Sequence, residues 1–146
     1  MKFVVVVLVL AACTRTSPRA GCPAGYVADA ERTARLVALL RRHPETEPLL
    51  GHQPRAVCYA PGAEPGITPD GTVLLDATSD DPSSAARMAH LLVHLGQGLA
   101  AATDGSAHEL PARTVEARAR RALGLGPLAT EKPGVATIGS VGADGP

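Results

Sequence analysis

Apolar and polar positions along the chain change period several times, and each change marks an element. Residues 29–43 carry Leu36, Val37, Leu39 and Leu40 as a stripe at helical spacing, with Arg32, Arg35, Arg41 and Arg42 on the remaining face. Asp29 suits the N-cap, Glu31 the first turn, and Pro44 blocks continuation. Two short β-rich runs follow, "RAVCYA" (55–60) and "GTVLLDA" (71–77). The breaker "PGAEPG" separates them, and the turn pair Asp70-Gly71 opens the second. Ile67 and Thr68 extend the region before that turn. In the first run Val57 and Tyr59 alternate with Cys58, so the cysteine falls on the opposite face of the strand. A second helix is predicted from Asp81 as N-cap, with Pro82 at its first position, to about Leu99, loosening at Gly96 and Gly98. A third is predicted from Pro111 to Leu123, stopped by Gly124. The fold class that follows is α+β: an N-terminal helix, a small antiparallel sheet, then two packed helices.

The two ends of the chain read differently. After Lys2 an unbroken apolar run extends from Phe3 to Ala12, too short to span a bilayer comfortably and of the length of a signal-peptide h-region. It closes with Leu10-Ala11-Ala12-Cys13, which resembles the bacterial lipobox. That resemblance implies that Cys13 becomes the lipidated first residue of the exported chain, anchoring it to a membrane without spanning it. The expected organisation is a signal peptide over 1–12, a tether over 13–21, one domain over 22–124 and a disordered tail over 125–146. The stretch from Gly124 onward holds nine Gly or Pro in 23 residues, which supports the last assignment.

Export changes the meaning of the cysteines. Beyond Cys13 only Cys22 and Cys58 remain, an even pair for an oxidising compartment, so a disulfide is expected between them. Closing a loop of that length stabilises by about 3–4 kcal/mol in the chain-entropy picture. Charge adds an exclusion. The chain has 14 basic and 14 acidic residues, no Trp, one Phe and two Tyr. Nothing in that balance steers it to nucleic acid, and base stacking is poorly supplied.

Candidate chemistry concentrates in "AHLLVHL" (89–95). Ala85, Met88, Leu92, Leu95 and Leu99 gather on one side of that helix, and His90 and His94 lie almost opposite, about 40° apart. Histidines at this spacing can present both imidazoles to one zinc ion. The downstream carboxylates are Asp104, Glu109 and Glu116. Asp104 and Glu109 fall in the predicted loop "AATDGSAHEL", whereas Glu116 sits on the third helix, where a ligand is held more rigidly. The expected set is therefore His90, His94 and Glu116. Arg120, four residues beyond Glu116, offers the alternative of an ordinary ion pair. His108 is a further possible ligand without supporting spacing, and His43 and His52 border Pro-rich turns and are expected to be solvated.

The order helix, short sheet, His-bearing helix, Glu-bearing helix resembles the small gluzincin-like metallopeptidases of the ImmA/IrrE type. "MAHLLVHL" stands where that family has its HExxH helix, "VEARARRAL" where it has the later glutamate helix, and "TVLLDA" where it has the edge strand above the cleft. The resemblance implies zinc on His90, His94 and Glu116. It also implies a departure: the glutamate that acts as general base falls on Leu91, and an alkyl side chain takes no proton from water. The functional expectation is a non-catalytic binding or scaffold module of the cell envelope, with zinc as the candidate cofactor and an envelope protein as the candidate partner. Two alternatives stand beside it: a partner-binding lipoprotein unrelated to peptidases, and a zinc hydrolase that takes its base from elsewhere, such as Glu109.

Overall fold

The computed structural model describes residues 21–98 and 106–128. The expected signal peptide, Cys13, most of the expected tether, Leu99, Asp104 and residues 129–146 of the expected tail lie outside that range. The described elements run β1 (Val27–Ala28), α1 (Ala30–Arg41), a 3₁₀ turn (Glu47–Gly51), β2 (Ala56–Ala60), β3 (Gly66–Ile67), β4 (Thr72–Asp76), α2 (Asp81–Gly96) and α3 (Ser106–Ala122). The class is α+β, as expected.

The start of α1 follows its sequence signals. Asp29 caps it by accepting from the Arg32 backbone N–H at 2.8 Å. The cap of α2 lies one residue earlier than expected. Asp80, not Asp81, accepts from the Ser83 N–H at 2.7 Å, and Pro82 sits in the first turn, where its missing N–H costs nothing.

The sheet has order β1-β2-β4-β3 and is mixed, which corrects the expected antiparallel arrangement. β1 and β3 run antiparallel to their neighbours, but the central pair β2–β4 is parallel, Val57 opposite Val73 and Tyr59 opposite Leu75. The reason is β3. The chain reverses once after β2 and again at Asp70-Gly71, and two reversals restore the original direction. Gly71, at φ +83°, makes the second reversal, closed by its N–H donating to the Thr68 carbonyl at 2.9 Å.

One sheet face carries Val57, Tyr59, Val73 and Leu75. It packs against Leu36 and Leu40 of α1 and Ala85, Met88, Ala89 and Leu92 of α2 to form the core. Each large side chain buried there contributes roughly 1.5–3 kcal/mol. Cys58 faces the other way, as the alternation required, and is fully buried by its disulfide to Cys22, with Cα atoms 5.7 Å apart. The bond ties the start of the domain to a central strand.

Two packing results depart from the sequence reading. Arg32, expected on the outer face of α1, is buried against the start of α2. α2 itself is buried nearly all round, because α3 covers the side that carries His90 and His94. α3 ends as predicted: Gly124 adopts φ +73°, and the Leu125 N–H donates back to the Arg120 carbonyl at 2.8 Å.

Candidate metal centre

The seam between α2 and α3 contains side chains that an apolar interface would exclude. On α2, four residues place His90 and His94 one turn apart with their rings edge to face, centroids 4.8 Å apart. Both are buried, and their Nε2 atoms face each other at 3.1 Å. On α3, Glu109, Ala112, Glu116 and Ala119 recur at intervals of three, four and three residues, which sets them on one stripe toward α2. Ala112 and Ala119 are fully buried and let the helices approach closely; Glu109 and Glu116 bring their carboxylates to the two histidines.

The two glutamates do different things. Glu109 places Oε1 3.1 Å from His94 Nε2 and Oε2 3.6 Å from His90 Nε2. Glu116 meets the opposite edge of His90, its Oε2 lying 2.9 Å from Nδ1. The same oxygen accepts from Arg87 Nη1 at 3.1 Å. Among the described residues, the group able to share one ion is His90, His94 and Glu109, whose donor atoms lie within 4.8 Å of one another. The set expected from sequence put Glu116 in the third place. The difference has one cause: α3 begins at Ser106, five residues before the expected start, so Glu109 is on the helix and not in a loop. Pro111, read as a first position, lies inside the helix, where it forgoes one backbone hydrogen bond to the Ala107 carbonyl. The signal that could have located this start is Ser106-Ala-His-Glu109, the S-x-x-E pattern of a helix N-terminus. His108 is exposed on the same turn, His52 is exposed and His43 half-buried; none joins the cluster.

The donor set could hold a metal ion, and its chemistry can be set against that of zinc. Zinc–nitrogen bonds of about 2.0–2.1 Å hold two imidazole nitrogens about 3.3 Å apart, and the observed separation is 3.1 Å. Two imidazoles and one carboxylate are a zinc set with a coordination position left for a second carboxylate oxygen or another ligand. A metal would also set a condition on the protons. Two neutral imidazoles share two protons among four ring nitrogens, and a metal needs both Nε2 atoms bare, so each ring must carry its proton on Nδ1. At His90 that proton faces the Glu116 carboxylate, the usual arrangement behind a metal-bound imidazole. The contact is short but poorly aligned, and neither Nδ1 atom has a well-formed hydrogen bond among the described residues. Buried polar atoms left in that condition are uncommon, and an ion held on the two Nε2 atoms would fix the rings without giving the Nδ1 atoms partners.

Comparison with protein-family models, curated proteins and solved structures returns no match. The cluster is therefore read from its own geometry. Leu91 lies between the two histidines in sequence. It is buried and belongs to the same hydrophobic core as Met88 and Leu92.

Proposed function

We propose that this chain is a lipid-anchored module of the bacterial cell envelope that holds zinc on His90, His94 and Glu109 and uses it without peptidase chemistry. The observation that carries the reading is the facing pair of buried Nε2 atoms, 3.1 Å apart, with a carboxylate oxygen of Glu109 3.1 Å from one of them. Bound zinc would supply a rigid cross-link between α2 and α3, and a Lewis acid. The chain's own residues supply the rest. Glu116, held by Arg87, lies against the Nδ1 edge of His90, opposite the cluster. Leu91 brings hydrocarbon where proton transfer would need a carboxylate.

A hydrolase with Glu109 as its base is the weaker alternative. Both Glu109 oxygens face the histidine nitrogens, the position of a ligand and not of a free base beside bound water. The anchoring half of the proposal rests on the lipobox-like Leu10-Ala11-Ala12-Cys13 and the disulfide of an oxidising compartment. Through the lipid on Cys13 the module would sit on a membrane, on its periplasmic or surface side, where an envelope protein is the fitting partner.

The test is elemental analysis of the untagged protein extracted from bacterial membranes, beside a His90→Ala/His94→Ala chain and a Cys13→Ser chain. One zinc per chain, lost in the first variant and retained in the second as the second leaves the membrane fraction, is the expected result. No zinc in the parent chain, or zinc unaffected by the double substitution, contradicts the metal assignment. Stoichiometric zinc with peptide hydrolysis that Glu109→Gln abolishes would favour the hydrolase.

A further inference from the structure

Glu116 has a second surrounding besides the histidines. It forms part of the wall of a groove of about 180 Å³, together with Asp76, Ser83, Ser84, Arg87 and Arg120. An inventory of donors and acceptors in that groove is lopsided. Asp76 already accepts from the Gly62 N–H at 2.8 Å, the Thr78 N–H at 2.9 Å and the Ser79 hydroxyl at 3.1 Å. Glu116 Oε2 already takes Arg87 Nη1. The donors are less used. Among the described residues, Arg87 spends only Nη1, and Arg120 spends only Nε, on the Gly126 carbonyl at 2.8 Å. The Ser83 hydroxyl has no partner among them. Ser84 is 4% exposed, and its oxygen accepts from Arg32 Nη2 at 3.0 Å, so its own proton remains to be given to something else.

A pocket with spare donors on two guanidinium groups and two hydroxyls selects a ligand that brings acceptors. We propose that the groove binds a small oxyanion, a carboxylate or a phosphate group, held by Arg87 and Arg120 with Ser83 and Ser84 completing its hydrogen bonds. Guanidinium groups suit this ligand class because their planar fork matches two oxygens at once. The carboxylates of Asp76 and Glu116 also face the groove. Both Asp76 oxygens are engaged by donors of their own and Glu116 is engaged through Oε2, and the two arginines balance the charge of the two carboxylates. The proposal does not depend on the neighbouring histidines holding zinc.

The experiment is a calorimetric titration of the full chain with inorganic phosphate and, separately, with acetate at constant ionic strength. Saturable binding of one ion per chain is expected. Arg120→Ala should weaken it at least tenfold and Ser83→Ala severalfold, both with unchanged melting temperature, while Arg118→Ala, on the exposed face of the same helix, leaves it intact. Tighter binding of phosphate assigns the site to phosphorylated ligands, and tighter binding of acetate to carboxylates. Should Arg120→Ala lower the melting temperature, Ser83→Ala decides. The His90→Ala/His94→Ala chain should bind the ion as the parent does. Absence of saturable binding of either ion, binding equal in parent, Arg120→Ala and Ser83→Ala chains, or binding lost only with the histidines would overturn the proposal.

Discussion

α2 carries a buried polar cluster at each end, and the two are built on opposite terms. At its start, Arg32 of α1 reaches in and every guanidinium nitrogen finds an acceptor. Nε donates to Asp81 at 3.2 Å, Nη1 to the Ala77 carbonyl at 2.9 Å, and Nη2 to Ser84 at 3.0 Å and to the Ser79 carbonyl. The guanidinium lies 4.9 Å over the Tyr59 ring, and the Tyr59 hydroxyl meets Thr33 at 2.9 Å. Near the other end, His90 and His94 are equally buried, yet their Nδ1 atoms lack well-formed partners and their Nε2 atoms face each other. A satisfied network needs nothing further and serves the fold. In the same helix the facing Nε2 atoms beside Glu109, not the unpartnered Nδ1 atoms, are the arrangement that could hold a metal ion. Burial and polarity alone do not separate structure from function here; the state of each polar atom does.

The largest effect should come from breaking the satisfied end. Arg32→Leu strands the Ala77 and Ser79 carbonyls and leaves Asp81 without its buried partner, at a cost of about 3–5 kcal/mol. Urea unfolding should report that loss while zinc affinity stays unchanged; a matching loss of zinc would mean that the two clusters are one. Next comes the ligand itself. Zinc at a hundredfold excess over its dissociation constant should stabilise the parent chain by about 2.7 kcal/mol. Thermal melts should show that gain in Arg32→Leu and no gain in His90→Ala/His94→Ala. Glu116→Gln should be milder, weakening zinc binding by roughly 10–100-fold without removing it, because it alters the partner of a ligand and not the ligand. Competitive titration against a chelator measures this, and an effect as large as that of Glu109→Gln would make Glu116 a ligand after all.

The smallest effect is on acid stability and belongs to the Arg32 end. The hydrogen bond from Arg35, with the charges of Arg35 and Arg32, lowers the Asp81 carboxyl below its ordinary 3.8. The Thr78 backbone N–H, then the Thr78 hydroxyl, Gly62 and Ser79, hold Asp76 at about 2. A carboxyl lowered by folding stabilises the native state fully above its ordinary value and loses that contribution as pH falls through the lowered one. Stability should therefore decline from about pH 4 downward. Asp81→Asn should flatten that decline in acid-unfolding curves; an unchanged slope would remove Asp81 from its cause.

The sequence was most readable where local chemistry acts alone. Asp29 as a cap, Gly71 and Gly124 as turns and the alternation around Cys58 are set by one or a few neighbouring residues, and the Cys22–Cys58 pair followed from the count of cysteines. It was least readable where distant packing overrides a local signal. Arg32 looked like surface because its acceptors lie 45 to 52 residues further along the chain. The parallel central pair hung on a two-residue strand, Gly66–Ile67, too short for any periodicity to register. Glu109 was assigned to a loop because proline marks helix starts more often than interiors, and α3 runs through Pro111. The histidine pair itself was visible from its spacing. Its burial was not, since the apolar stripe of α2 gave no sign that α3 would cover the other side.

The most direct test is X-ray absorption at the zinc edge of the full chain loaded with one equivalent of zinc, beside Glu109→Gln and Glu116→Gln. The expected spectrum has a first shell of two imidazole nitrogens and carboxylate oxygen at about 2.0–2.2 Å. Its carboxylate contribution should disappear in Glu109→Gln and persist in Glu116→Gln. A shell of water oxygens without imidazole scattering, or a parent chain that takes up no stoichiometric zinc, would show that the facing histidines are part of the interior and nothing more.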